Sequence, residues 1–212
     1  MIKFACIAPH PPIILPSVGS EEERKLAGAT IQGLNLLGKE IFSLQPGSII
    51  ISSPHEDWGF NVPLFFLAKN IQPKIDTFLT QMDPPDDHYR VGKDLYFSEL
   101  KSLKENIALI ASGDLSHRLK IDGPYGLHPD GEKFDRALIE GLKIKDIGAI
   151  LELDGRYPEA GECGLRSISF MLGILDAAHI KWKVNILSYE APFGIGYLVA
   201  ELNIGQKSTN KK

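Results

Sequence analysis

Three histidines in this 212-residue chain each stand just past an apolar run. The segments end as Ala8-Pro9-His10, Ser53-Pro54-His55 and Ser112-Gly113-Asp114-Leu115-Ser116-His117. Imidazole is the commonest protein metal ligand and the usual proton carrier near neutral pH. In open α/β sheets, ligands bind beyond the carboxyl ends of the strands. Three imidazoles delivered there from distant parts of the chain point to one metal or acid–base site. The proline before His10 and before His55 fixes φ and stiffens the approach.

Glu162 follows a glycine and precedes an apolar helix, so its carboxylate can point into a cleft. His10, His55 and Glu162 together form the two-imidazole, one-carboxylate set of non-haem Fe(II) sites, which leaves positions open for other ligands. The alternative role for Glu162 is to stabilise the start of the following helix, where the macrodipole favours a carboxylate. Cys163 beside it is a soft ligand, a redox thiol or a small buried residue. His117 is placed as a general acid–base, with Asp114 accepting from its other ring nitrogen. Capping by Asp114 and metal ligation by His117 stay open. Tyr125 and His128, in Gly123-Pro124-Tyr125-Gly126-Leu127-His128-Pro129, are candidates to line a pocket for a planar substrate. Arg166 is a candidate to hold an anionic group. A proline-braced surface loop and a surface salt bridge are the structural alternatives. His88 and His179 read as surface residues.

The elements that position these groups follow from patterning. Residues 2–8, 48–52 and 106–111 are near-continuous apolar runs, as expected of strands covered on both faces. Ser20-Glu21-Glu22-Glu23 is a capping box that opens a helix running to about Leu44. Residues 61–68 and 74–79 read as two further strands, a hairpin at the sheet edge, and 82–88 as loop. Residues 94–105, 133–142, 144–151 and 165–178 read as helices. Residues 183–188 and 196–203 close the sheet, the second at an edge. The glycine- and proline-rich stretch 113–131 is too long for a plain connection. The expectation is a three-layer α/β domain with a mixed, largely parallel sheet between helices.

Composition narrows the function classes. Hydrophobic residues make up 43% and charged residues 24%, enough apolar material for a full core. A net charge of −4 argues against a general nucleic-acid binder. No apolar run approaches the roughly 20 residues that span a bilayer, and no leader peptide is expected. Two cysteines fit a reducing, cytoplasmic setting rather than a disulfide framework. A Gly-x-Gly-x-x-Gly turn, a P-loop, a His-Glu-x-x-His helix and a Gly-x-Ser-x-Gly elbow are all absent from the sequence.

The segments Ala8-Pro9-His10-Pro11-Pro12, Ser53-Pro54-His55, Ser112-Gly113-Asp114-Leu115-Ser116-His117-Arg118-Leu119, Gly161-Glu162-Cys163-Gly164 and Ser188-Tyr189-Glu190-Ala191-Pro192-Phe193-Gly194 run through nearly the whole chain. As an ordered set they resemble the catalytic chains of the class III extradiol ring-cleavage dioxygenase superfamily. The branch called AmmeMemoRadiSam system protein B, or Memo-like, is the nearest match. The resemblance covers nearly the whole chain and implies a single catalytic domain over residues 1–205; the polar, basic residues 206–212 are expected to form a disordered tail. It implies Fe(II) on His10, His55 and Glu162, with zinc or copper as alternatives, and His117 as acid–base. The implied reaction is cleavage of a small catecholic substrate by dioxygen. A homo-oligomer is expected, with a second subunit or partner domain left open. In the Memo branch a cysteine near the metal matches Cys163, and His117 moves into the metal shell. That pattern implies a metal-binding redox protein without ring cleavage. A zinc-dependent hydrolase on the same scaffold is the remaining alternative.

Overall fold

The computed structural model describes residues 1–205. The expected tail at 206–212 lies outside the described residues. Among the described residues six strands form one sheet: β1 (Ile2–Ala8), β2 (Ser48–Ser53), β3 (Lys74–Leu79), β4 (Ile107–Ser112), β5 (Trp182–Glu190) and β6 (Tyr197–Ile204). Their spatial order is β3-β2-β4-β1-β6-β5. β3, β2, β4 and β1 are parallel, while β6 runs antiparallel to β1 and to β5. Eight α-helices accompany them: α1 (Glu21–Leu26), α2 (Gly28–Leu44), α3 (Trp58–Leu67), α4 (Pro85–Ser98), α5 (Pro129–Ile144), α6 (Ile147–Leu151), α7 (Leu153–Arg156) and α8 (Leu165–Ala177).

Alternation along the central strands divides the core in two. Ala5, Ile7, Ile50, Ile107 and Leu109 face one side, where α4, α5 and α8 cover them. Phe4, Cys6, Ile49, Ile51 and Ile110 face the other, under α2 and α3. Helices cover both faces, which is why these strands read as unbroken apolar runs. The result is the expected three-layer α/β domain. No helix among the described residues is long and apolar enough to cross a membrane.

Several elements differ from the sequence expectation. Residues 61–68 belong to helix α3, not to a strand. Almost every position of Trp58–Leu67 is apolar, so a strand period and a helix period fit equally well. β3 is a parallel edge strand beside β2 rather than half of a hairpin. The segment 82–88 is loop only in part, because α4 begins at Pro85, where a first-turn proline and the acids Asp86 and Asp87 suit a helix start. The helix expected from Ser20 breaks at Ala27 into α1 and α2, and its capping box is formed. β6 is interior and β5 is the edge. His88 is buried rather than exposed, with Nε2 on the carbonyl of Gln81.

Candidate metal centre

The carboxyl ends of three adjacent parallel strands build the site. His10 follows β1, His55 follows β2, and Asp114 and His117 follow β4. Cys163 arrives from the other direction, in the loop that opens α8. Donor atoms of His10, His55 and Cys163 all lie within 4.8 Å of one another, and so do those of Asp114, His117 and Cys163.

His10 is prepared for ligation by a chain of hydrogen bonds that begins at a proline. Pro63 sits inside α3. It has no N–H for the carbonyl of Gly59, one turn earlier. That carbonyl accepts instead from the hydroxyl of Ser112. With its proton so committed, Ser112 Oγ accepts from Nδ1–H of His10 at 2.9 Å. The proton is thereby placed on Nδ1, and Nε2 keeps its lone pair facing the sulfur of Cys163 at 3.5 Å. Hydrogen bonds of this kind behind a ligand fix its tautomer and direction. Burial, and then the neighbouring His55, push His10 down to about 3, so the ring is neutral.

The loop carrying His55 is held tightly. Ser53 Oγ accepts from His55 N at 3.1 Å and donates to His55 O at 2.9 Å. Two residues on, Asp57 stands at φ 50, a positive-φ conformation costly for a non-glycine residue. The ring of Trp58 lies 5.3 Å from the His55 ring, and the His10 ring lies 5.3 Å from it on another side.

Asp114 is buried and its carboxylate accepts from the main-chain N–H of His10 at 3.0 Å. Burial raises it to about 6, against the pull of that N–H and of His117 and His55. Among the described residues no hydrogen bond joins Asp114 to the His117 ring, so the expected orientation of His117 by Asp114 is not made. Asp114 orients His10 through the backbone instead. His117 is lowered by burial, and its Nε2 is buried without a hydrogen-bond partner. Its ring lies 5.1 Å from that of Tyr125.

Glu162 takes the capping role rather than a place beside the imidazoles. Its carboxylate accepts from Leu165 N at 2.7 Å, at the start of α8, and from Arg166 at 3.0 Å. Both side chains are less than a tenth exposed. Burial raises Glu162 to about 7, against these donors. Arg166 is equally committed, to Glu162, to Asp154 at 3.0 Å and to the carbonyl of Asp83 at 2.9 Å. Three of its five N–H donors are thus held inside the protein, where it forms part of the cavity wall. His128 also has a structural role: it is the N-cap of α5 and accepts from Asp130 N at 3.2 Å. It does not line the cavity, whereas Tyr125 does. His179 is exposed, as expected.

The cavity has a volume of about 710 Å³. His55, His117, Tyr125, Cys163 and Arg166 line it, together with Leu79 and Met82 from the far side. That size and its mixed lining suit a small organic ligand. Ser112 and Trp58 were not singled out by sequence reasoning. Ser112 ends a buried strand and Trp58 follows His55 by three positions, which is the only local signal either gives.

The donor set fits a transition-metal ion. Imidazole with a thiol suits zinc, copper or iron, His10 has the right tautomer, and a buried imidazole nitrogen lacks any partner. Burial raises the Cys163 thiol well above its ordinary value, and a bound cation would displace its proton.

Residues 56–200 match the family described as the catalytic LigB subunit of aromatic ring-opening dioxygenase. The chain is 31% identical to protein CA_C1420 of Clostridium acetobutylicum, with 97% of this chain and 58% of that protein covered. It therefore spans little more than half the length of that relative. An uncharacterized protein of Escherichia coli K12, JW3007, has a similar crystal structure: TM-score 0.61, 14% identity, 94% of this chain and 99% of that one covered. This last likeness concerns the fold alone.

Proposed function

The chain belongs to the family of the catalytic LigB subunit of aromatic ring-opening dioxygenase, and on that premise we propose that it is a metal-dependent, extradiol-type dioxygenase acting on a catecholic substrate. One observation carries this reading. The three clustered donors of His10, His55 and Cys163 adjoin a cavity into which His117 also faces, with a buried ring nitrogen that has no partner. In this reading His10, His55 and Cys163 hold Fe(II). When bound, ferrous iron would supply coordination of the diol and of dioxygen at one centre and a path for electron density between them.

The protein's own groups do the rest. His117, kept neutral by burial, takes a phenolic proton at Nε2 and later returns it, a role worth roughly 10²–10⁴ in rate. Tyr125 and the apolar side chains of Leu79 and Met82 shield the faces of the ring from water. Ser112 keeps His10 in its ligating tautomer.

The test is anaerobic reconstitution with Fe(II), followed by a panel of catechols and admission of dioxygen. The expected result is stoichiometric oxygen uptake with a coloured ring-opened product from at least one diol. Full iron occupancy with no oxygen uptake across the panel rejects the reading.

A second reading is favoured by one specific feature, the thiol of Cys163 where a carboxylate was expected. A soft donor beside two imidazoles favours copper(I) or zinc. The protein is then a metal-binding redox protein that cleaves no ring. Copper bound far more tightly than iron, with no catechol turnover, selects this alternative.

A further inference from the structure

We propose that strand β3 is the contact through which two copies of this chain pair, edge to edge and antiparallel, beside the mouths of their cavities. Among the described residues β3 ends the sheet and is bonded only to β2. Its outer edge presents a row of free N–H and C=O groups, a template for another strand. The opposite edge of the sheet is blunted, because β5 carries a register irregularity between Ile186 and Ser188 and a lysine, Lys183. Bulges and edge lysines discourage pairing. Between Ile75 and Leu79, β3 has no bulge, proline or lysine.

The occupant follows from the side chains. Ile75, Thr77 and Leu79 share the face that continues from Ile49 and Ile51 of β2. On β2 that face is covered by helix α3. On β3 it is open, with Ile75 42% and Leu79 43% exposed. In a two-fold antiparallel pair centred on Thr77, Ile75 of each copy lies opposite Leu79 of the other, and Thr77 opposite itself. Directly opposed apolar side chains are the stabilising unit of a sheet. On the other face Asp76 falls opposite Phe78, so no like charges are directly opposed, and Lys74, paired with Asp76 at 3.0 Å, offsets the two Asp76 that stand diagonally across the two-fold. The strand is complementary to itself, which is what a two-fold interface requires. Leu79 and Met82 also line the cavity, and Met82 is 84% exposed. Pairing through β3 therefore sets the second copy at the rim of the site.

Light scattering and sedimentation of the full chain test this. The expected mass at micromolar concentration is twice the 23.4 kDa of one chain. The double variant I75K/L79K is expected to give the single-chain mass. I75K/L79E, which puts opposite charges across the pair, is expected to return the doubled mass. Under mild oxidation T77C should yield a covalent dimer, since opposed Cα atoms of a strand pair lie within disulfide reach. I75C and the wild type should not. A single-chain mass for the wild type, a dimer that survives I75K/L79K, failure of I75K/L79E to restore it, or cross-linking by I75C in place of T77C overturns the proposal.

Discussion

The sulfur of Cys163 lies 3.5 Å from Nε2 of His10, a residue 153 positions away. Glu162, its neighbour, is turned instead to Arg166 and Leu165 N. The two side chains should therefore respond differently to substitution. Cys163→Ser is expected to lower metal affinity by more than the roughly 10–100-fold that follows loss of a group hydrogen-bonded behind a ligand. Glu162→Gln should keep the metal but lose stability, about 1–3 kcal/mol, because the buried Arg166 guanidinium loses one of its two carboxylate partners. Chelator competition and urea unfolding on both variants separate these effects. Metal loss in Glu162→Gln with retention in Cys163→Ser would reverse the assignment.

Much of this site was legible in the sequence. The strands before His10, His55 and His117 are buried on both faces, so each shows as an apolar run with its histidine at the end. Which of Glu162 and Cys163 turns inward was not legible from adjacency, because Gly161 at φ 63 sets the rotation of the loop. A signal did exist: Glu162 and Arg166 stand four apart, the spacing of a helical ion pair. His128 likewise carried a local sign, the proline at the first position of α5. Ser112 could not be given its role from sequence, because that role depends on a carbonyl freed by Pro63 on another element. Helix α3 was obscured for the opposite reason, since uniform apolarity erases periodicity.

The link from Gly59 through Ser112 to His10 gives a second prediction. Ser112→Ala removes the acceptor for Nδ1–H of His10 and leaves the Gly59 carbonyl without its partner. Metal affinity is expected to fall roughly 10–100-fold, while the buried unpaired groups cost about 1–3 kcal/mol. Ser112→Thr, if its methyl is accommodated, should restore part of both. Calorimetric metal titration of the two variants checks this. Unchanged affinity in Ser112→Ala would show that the His10 tautomer is set elsewhere.

Gly113 gives a third. A Cβ at Gly113 would stand 2.2 Å from Cα of Gly164, a contact between two backbones that no rotamer relieves. This approach is what brings the loop of Asp114 and His117 against the loop of Cys163. Gly113→Ala must separate them. A loss of at least the roughly 1–3 kcal/mol typical of overpacking is expected, together with loss of the metal. Thermal unfolding and metal content measured on one preparation test both effects. Retention of metal at full occupancy would mean that the two loops can part without disturbing the donors.

Asp135 on α5 supports the loop from behind. Its carboxylate accepts from Ser116 N at 2.8 Å and from the hydroxyl of Tyr189 at 2.7 Å, while Ser116 Oγ donates to the carbonyl of Ala160 at 2.7 Å. Ser116 lies between Asp114 and His117, so Asp135 fixes the backbone from which His117 projects. Burial raises Asp135 from an ordinary carboxylate value of 3.8 to about 7. A carboxyl raised in the folded state holds its proton more tightly there than in the unfolded chain. Its contribution to stability therefore declines as pH climbs from about 4 to about 7 and is flat above that. Asp135→Asn can keep both hydrogen bonds, with Tyr189 turned to accept, and has no such decline. The stability difference between the variant and the wild type should shift in favour of Asp135→Asn across that window, as read by urea unfolding at a series of pH values. Asp135→Ala loses both bonds and should broaden or shift the His117 ring resonances, while the donors of His10, His55 and Cys163 still bind metal. A pH-independent difference for Asp135→Asn, or an unaltered His117 signal in Asp135→Ala, would show that α5 does not control the position of that imidazole.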